Sequence, residues 1–305
     1  MLLARGLALA ETEVIALQRV AHAGAPLQER LERGAILLFP RTPLDLTEDE
    51  LRSLLGQRQT RAGYHKNVAY RPGQDRLTGT GRGSDTDALR AIMRRFSDAA
   101  AALVARVLPR YAAAWRLDFA SFRPQEEEGR SLSLHSRNDL LHVDAFPTRP
   151  TNGDRILRFF TNIHPSRPRV WVTSDPFDVL AERFAREPSL AETLEPPSAV
   201  SRAASWLGRA VGLPKRRPAY DSFMLAFHHF LKENESFQAT CPKYRIEFPA
   251  GSSWLVFTDT VSHSVLAGQY ALEQTFIVSR RTLCRPDLSP AGVLERIHGR
   301  PVTLA

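Results

Sequence analysis

The chain holds nine histidines, and one of them stands two residues before an acid, in Leu140-Leu-His-Val-Asp-Ala-Phe146. On a strand, residues two apart leave the same face, so His142 and Asp144 could both reach a single ion. Two imidazoles and one carboxylate on one face of an octahedron, the other positions open, form the facial triad of non-heme Fe(II) oxygenases. Such a pair alone arises often by chance, so the third ligand carries the weight. His263 is favoured: it follows the apolar run Ser253-Trp-Leu-Val-Phe257 and a short turn, Thr258 to Val261, and another predicted strand comes after it. His228 and His229 compete, but Phe223-Met-Leu-Ala-Phe-His-His-Phe-Leu-Lys232 is a helical setting that points at least one of them to a packed or solvated face. His22, His65, His135, His164 and His298 read as surface or satisfied interior positions.

An oxygenase of this kind uses 2-oxoglutarate, which chelates iron through its keto acid end and leaves a distal carboxylate for a cation in a partly dry pocket. In Arg155-Ile-Leu-Arg-Phe-Phe-Thr-Asn-Ile163, alternation puts Arg158, Phe160 and Asn162 on one face and Leu157, Phe159, Thr161 and Ile163 on the other. The first set reads as pocket and the second as core. A charge in so apolar a strand is costly unless paired, which favours Arg158 as the cosubstrate anchor, with Asn162 beside it. Many such oxygenases take the cation from the strand after the distal histidine; here that strand, Ala271 to Val278, offers Gln274, and Arg280 and Arg281 just beyond are alternatives. The expected cofactors are Fe(II) with 2-oxoglutarate and O2 as cosubstrates.

What must position these residues is a chain of 305 residues, 43% hydrophobic and 24% charged, enough for a sizeable core. Forty-one Lys and Arg against thirty-three Asp and Glu give +8, a field that attracts polyanions. Cys241 and Cys284 have no zinc-cluster spacing and make no disulfide framework, which fits a reducing cytoplasm. The start, MLLARGLALA, lacks a basic n-region and is followed by Glu11 and Glu13, so no signal peptide is expected. No run of about 18 apolar residues occurs, so no membrane-spanning helix is expected either.

Residues 1–115 are expected to form a mainly helical N-terminal part, with helices at Glu13–Arg33 and Asp87–Leu108. A short strand at Gly34–Pro40, a capping box at Thr47–Glu50 and an irregular stretch at Tyr64–Gly83 lie between them. Residues 116–285 turn to short β-type runs: Phe119–Arg123, Leu140–Ala145, Ile156–Ile163, Arg169–Thr173, Tyr244–Phe248, Ser253–Asp259 and Gln269–Val278. A helical insertion around 178–235 interrupts them, with helices near Asp178–Ala185 and Ser222–Glu235, and 286–305 form a C-terminal tail. The fold class is α+β: a double-stranded β-helix (jelly-roll, cupin-like) catalytic core with a helical N-terminal part and surrounding helices.

The stretch Leu141-His-Val-Asp-Ala-Phe-Pro-Thr-Arg-Pro-Thr-Asn-Gly-Asp-Arg-Ile-Leu-Arg-Phe-Phe-Thr-Asn-Ile163, with Ser121-Phe-Arg-Pro124, Arg169-Val-Trp171, Pro176-Phe177, Phe257-Thr-Asp-Thr-Val-Ser-His263 and Leu272-Glu-Gln-Thr-Phe276, resembles the Kdo hydroxylases over most of residues 34–280. That resemblance implies hydroxylation of 3-deoxy-octulosonic acid (Kdo) at C3 in the lipopolysaccharide inner core, using Fe(II), O2 and 2-oxoglutarate. It carries His142, Asp144 and His263 over as metal ligands and Arg158 as cosubstrate anchor. A Kdo-containing glycolipid is acidic, so the basic charge acquires a partner, and no nucleic acid is expected. Arg123, Arg149 and Arg169 are candidate contacts to the sugar carboxylate, and Trp171 a candidate wall, against surface and core readings of each. The basic, Trp-containing segment Arg202–Arg217 suits peripheral contact with the anionic cytoplasmic face of the inner membrane. Two other readings are a jumonji-like protein hydroxylase and a non-enzymatic cupin-like module that binds an anionic sugar.

Overall fold

The structure is a computed structural model describing residues 12–17, 25–57, 67–81, 85–195 and 217–303. The N-terminal part contributes β1 (Val14–Ala16), α1 (Ala25–Glu32), β2 (Ile36–Phe39), α2 (Glu48–Leu55), β3 (Val68–Arg71), β4 (Arg76–Thr78), α3 (Thr86–Val107) and α4 (Pro109–Ala112). The Thr47–Glu50 capping box is present at the start of α2, and Asp85 caps α3. Beyond them come β5 (Trp115–Arg123), β6 (Arg155–Asn162), β7 (Arg169–Pro176), α5 (Phe177–Phe184), α6 (Pro188–Leu194), α7 (Ala219–Glu233), α8 (Glu235–Thr240), β8 (Tyr244–Phe248), β9 (Ser253–Phe257), β10 (Val261–Ala267), β11 (Ala271–Val278) and α9 (Pro290–His298).

Among the described residues eight strands form one sheet in the order β1-β2-β9-β6-β11-β5-β3-β4, and three form a second in the order β10-β7-β8. The inner faces of both sheets meet in a shared cluster, Phe160, Trp254 and Val256 from the large sheet against Trp171, Phe248 and Val265 from the small one. This is the jelly-roll expected from the spacing of short strands. The outer face of the large sheet packs Leu157, Phe159, Leu272 and Phe276 on Phe96, Leu103 and Val107 of α3. β6 is buried throughout except at Arg158 and β11 is buried throughout, so the charged residues they carry, such as Arg155 and Glu273, are buried with partners.

Several local expectations change. Val14–Ala16 is a strand paired with β2 rather than the start of a helix, because its neighbour Ile36–Phe39 needs an edge partner. Val68–Arg71 and Arg76–Thr78, expected to be irregular, form a hairpin that extends the large sheet from β5. Leu140–Ala145 is not a strand: a single antiparallel bridge joins His142 to His263, after which the Asp144 amide turns to the carbonyl of Thr258 at 2.8 Å. The helices near 178 and 222 are present, and Phe223, Phe227 and Leu231 are all buried. The starting segment 1–11 and all of Arg202–Arg217 except Arg217 lie outside the described residues. Among the described residues no helix is long and apolar enough to cross a membrane.

Candidate active site

His263 lies on β10 and is joined to His142 by reciprocal backbone hydrogen bonds, His142 N–H to His263 C=O at 3.1 Å and His263 N–H to His142 C=O at 2.9 Å. That bridge brings two histidines from distant parts of the sequence side by side. The Asp144 amide bond to Thr258 then folds the carboxylate onto the same spot. One ligand atom from each of His142, Asp144 and His263 lies within 4.8 Å of the others, and all three residues are buried.

The donor set fits a divalent metal. Nδ1 of His142 meets the carbonyl of Leu140 at 2.7 Å, and Nδ1 of His263 meets that of Val261 at 2.8 Å. A carbonyl can only accept, so each Nδ1 carries the proton and each Nε2 is left as a lone-pair donor. Oδ2 of Asp144 is buried and accepts no hydrogen bond. Burial, with Lys232 nearby, holds His142 well below the usual histidine range, and burial also lowers His263. For Asp144 burial acts upward, but the Arg158 guanidinium leads the effects that outweigh it and hold the carboxyl well below the usual carboxylate range. Neutral imidazoles and an ionised carboxylate are the protonation states that bind a cation. Two histidines and a carboxylate suit Fe(II) in particular.

His228 also approaches, its ring 4.8 Å from that of His142, but its Nδ1 meets the carbonyl of Val143 and it is not part of the donor group. His229 stacks on His135 at 4.0 Å. Trp171 stacks on the His263 ring at 4.9 Å and an interplanar angle of 18°, fixing the orientation of that imidazole.

The donors open onto a cavity of about 40 Å³ lined by Arg123, Asn138, Arg158, Phe160, Arg169, Trp171 and Val265. Arg158 sits between two carboxylates: Nε is 3.2 Å from Asp144 Oδ2, and Nη1 is 3.2 Å from Glu273 Oε1. Arg123 also pairs with Glu273, through Nε at 3.0 Å and through Nη2. Arg169 is buried against Glu127 and the carbonyl of Gly268, and burial, partly offset by Glu127, brings its guanidinium down to about 10.

Three expected contacts are engaged elsewhere. Asn162 shares the pocket face of β6 but sits at its end, where Nδ2 donates to the carbonyls of Arg167 and Phe248 and Oδ1 accepts from His164 N–H. Gln274 pairs across the sheet with Phe159, on the helix-facing side, and donates to the carbonyls of Asp118 and Thr275. Arg149 is held by Asp118 and lies 4.1 Å over each of the rings of Phe119 and Phe146. Of the alternatives, Arg280 pairs with Glu295. Glu273 and Glu127 were missed. The signal for Glu273 was available: Leu272 and Phe276 are core positions, so alternation sends Gln274 with them and Glu273 to the pocket.

Over residues 15–301 the chain matches the family described as 3-deoxy-D-manno-oct-2-ulosonic acid (Kdo) hydroxylase. Among solved structures it is similar to the Kdo hydroxylase KdoO, a non-heme Fe(II) alpha-ketoglutarate-dependent dioxygenase, in complex with alpha-ketoglutarate and Fe(III): 33% identity, TM-score 0.80, covering 96% of this chain and 98% of that one. The cobalt(II) complex of the same enzyme gives TM-score 0.82 at 33% identity and the same coverage. The complex with succinate and Fe(III) gives 0.80 at 32% identity, again over 96% and 98%. No curated protein matches.

Proposed function

Because the chain belongs to the Kdo hydroxylase family, we propose that it holds Fe(II) through His142, Asp144 and His263 and hydroxylates C3 of Kdo in the lipopolysaccharide inner core, giving D-glycero-D-talo-oct-2-ulosonic acid. The observation that carries this reading is the buried group of three donors, free of competing hydrogen bonds at Asp144 Oδ2, with Arg158 beside it. When bound, Fe(II) and 2-oxoglutarate supply the oxidant: one atom of O2 ends in succinate, with loss of CO2, and the other is inserted into the C–H bond of the substrate.

The chain's own residues do the positioning. The carbonyls of Leu140 and Val261 fix the histidine tautomers, and Trp171 fixes the plane of His263. Arg158, partly buried on β6, offers the cation for the distal carboxylate of 2-oxoglutarate. Phe160, Trp171 and Val265 wall the cavity with apolar surface and exclude water from a reactive site. Arg123 and Arg169, which line the same cavity, are the further cations offered to the sugar carboxylate. The acceptor is a Kdo-bearing lipid A, and the charge of +8 supports steering towards it and peripheral contact with the cytoplasmic face of the inner membrane.

The test is to load metal-free protein with Fe(II) and 2-oxoglutarate without oxygen, add Kdo-lipid A, admit O2 and weigh the lipid. The expected result is one added oxygen at C3 and Kdo-dependent succinate. His142→Ala and Asp144→Ala should each lower the rate more than about a hundredfold, beyond the range typical of changes outside the ligand set. An unchanged lipid mass would refute the substrate, and full activity in either variant would refute the ligand assignment.

A further inference from the structure

Arg158 is placed to do harm as well as good. Its Nε lies 3.2 Å from Asp144 Oδ2, yet no hydrogen bond aligns between them, and both atoms are buried without a hydrogen-bond partner. A guanidinium that settled fully onto Asp144 would neutralise the one anionic donor in the group and compete with the metal for it. Something must hold it back. On the other side of Arg158, Nη1 is 3.2 Å from Glu273 Oε1.

Glu273 is unusually well fixed for that task. It sits on β11, directly beside β6, and its side chain is 5% exposed. Oε1 accepts from Thr275 Oγ at 3.0 Å, while Oε2 accepts from Ser121 Oγ at 3.3 Å and from Arg123 through Nε and Nη2. Three residues, Thr275, Ser121 and Arg123, therefore donate hydrogen bonds to one carboxylate on a strand paired on both sides, with the Arg158 guanidinium at ion-pair distance from it. Glu273 is thus a stationary counter-ion on the side of Arg158 away from Asp144.

We propose that Glu273 is a positioning residue that holds Arg158 off Asp144, keeping the Asp144 carboxylate available to the metal and the guanidinium facing the cosubstrate. The inference rests on the ligand assignment above. Neutralising Glu273 removes the tether, and Arg158 then closes on Asp144 and weakens metal binding.

The experiment is Co(II) titration of the metal-free full-length chain without 2-oxoglutarate, followed by visible absorption, with thermal melts of the metal-free variants as a check on folding. Glu273→Gln is expected to raise the Co(II) Kd about tenfold or more in the otherwise natural chain, and about threefold or less in an Arg158→Met background. Glu273→Asp, which shortens the tether but keeps the charge, should give an intermediate loss that Arg158→Met likewise relieves, and it serves if Glu273→Gln does not fold. Equal losses in both backgrounds would show that Glu273 acts by bulk charge or by general support of the fold, and would overturn the proposal, as would an unchanged Kd. Failure of the natural chain itself to bind Co(II) would instead overturn the ligand assignment.

Discussion

Two arginines three residues apart on β6, Arg155 fully buried and Arg158 partly buried, are both paired with acids, and they are held in opposite ways. Arg155 sends Nε to both carboxylate oxygens of Asp259, at 3.2 and 3.0 Å, sends Nη2 to Asp259 and Thr260, and lies 4.0 Å over the ring of Phe257. Among the described residues only its Nη1 lacks a partner. Arg158, on the other face, lies within 3.2 Å of two carboxylates and leaves its Nε unmatched. Asp259 also accepts from the amide of Ile156, so the first pair pins the turn between β9 and β10 that leads into His263. A pair with nearly all its hydrogen bonds made is a fixture. One left incomplete beside the His142, Asp144 and His263 donors is where the proposed cosubstrate carboxylate would complete it.

The largest test of that contrast is a crossed pair of substitutions. Arg155→Met leaves Asp259 buried without its cation and should cost about 3–5 kcal/mol of stability in urea unfolding. Arg158→Met, in the metal-loaded protein, should cost less than half as much and instead raise the KM for 2-oxoglutarate about tenfold or more, the scale of one charge-assisted interaction. Exchange of these two phenotypes would break the comparison.

A smaller effect concerns pH. Burial acts to raise the Glu273 carboxyl, but Arg158, Arg123 and the hydrogen bond from Arg123 outweigh it and bring it down to about 2 from the ordinary 4.5. A depressed value means stability that is fully present above 4.5 and lost as pH falls from 4.5 towards 2. Unfolding measured across that window should fall less steeply in Glu273→Gln than in the natural chain; identical slopes would show that Glu273 is not held as described. The smallest expected effect is that of Arg149→Ala, which should change the KM for Kdo-lipid A by less than about threefold, since the guanidinium is already committed to Asp118 and two rings. A tenfold rise would return Arg149 to the sugar.

Much of this was legible in the residues. The jelly-roll follows from short strands with Pro, Gly and Asp between them, and the capping box at Thr47 and the stripe of Phe223, Phe227 and Leu231 appear as expected. Alternation on β6 correctly divides Leu157 and Phe159 from Arg158 and Phe160. It failed where a polar residue ends a strand, at Asn162, whose face was right but whose amide is used up by backbone groups. On β11 the strand after the distal histidine offers Gln274, but the parity of Leu272 and Phe276 sends Gln274 to the core side and Glu273 to the pocket. Val14–Ala16 and the 68–78 hairpin were missed because strands of three or four residues carry too short a pattern to announce themselves, and their pairing is decided by the sheet edge they join.

The sequence by itself singled out His142 and Asp144 by residue type and proximity in the chain, while the strand assumed to put them on one face is replaced by a single bridge and the Asp144–Thr258 hydrogen bond. It also determined that Arg158 faces away from the helical core, because a strand alternates. Only the tertiary structure decided that His263 joins them, through a bridge between segments more than a hundred residues apart, since nothing local fixes which distant histidine arrives. Only it decided which buried arginine is a fixture and which is left incomplete, because hydrogen bonds are satisfied by partners that the fold, and not the spacing, brings within reach.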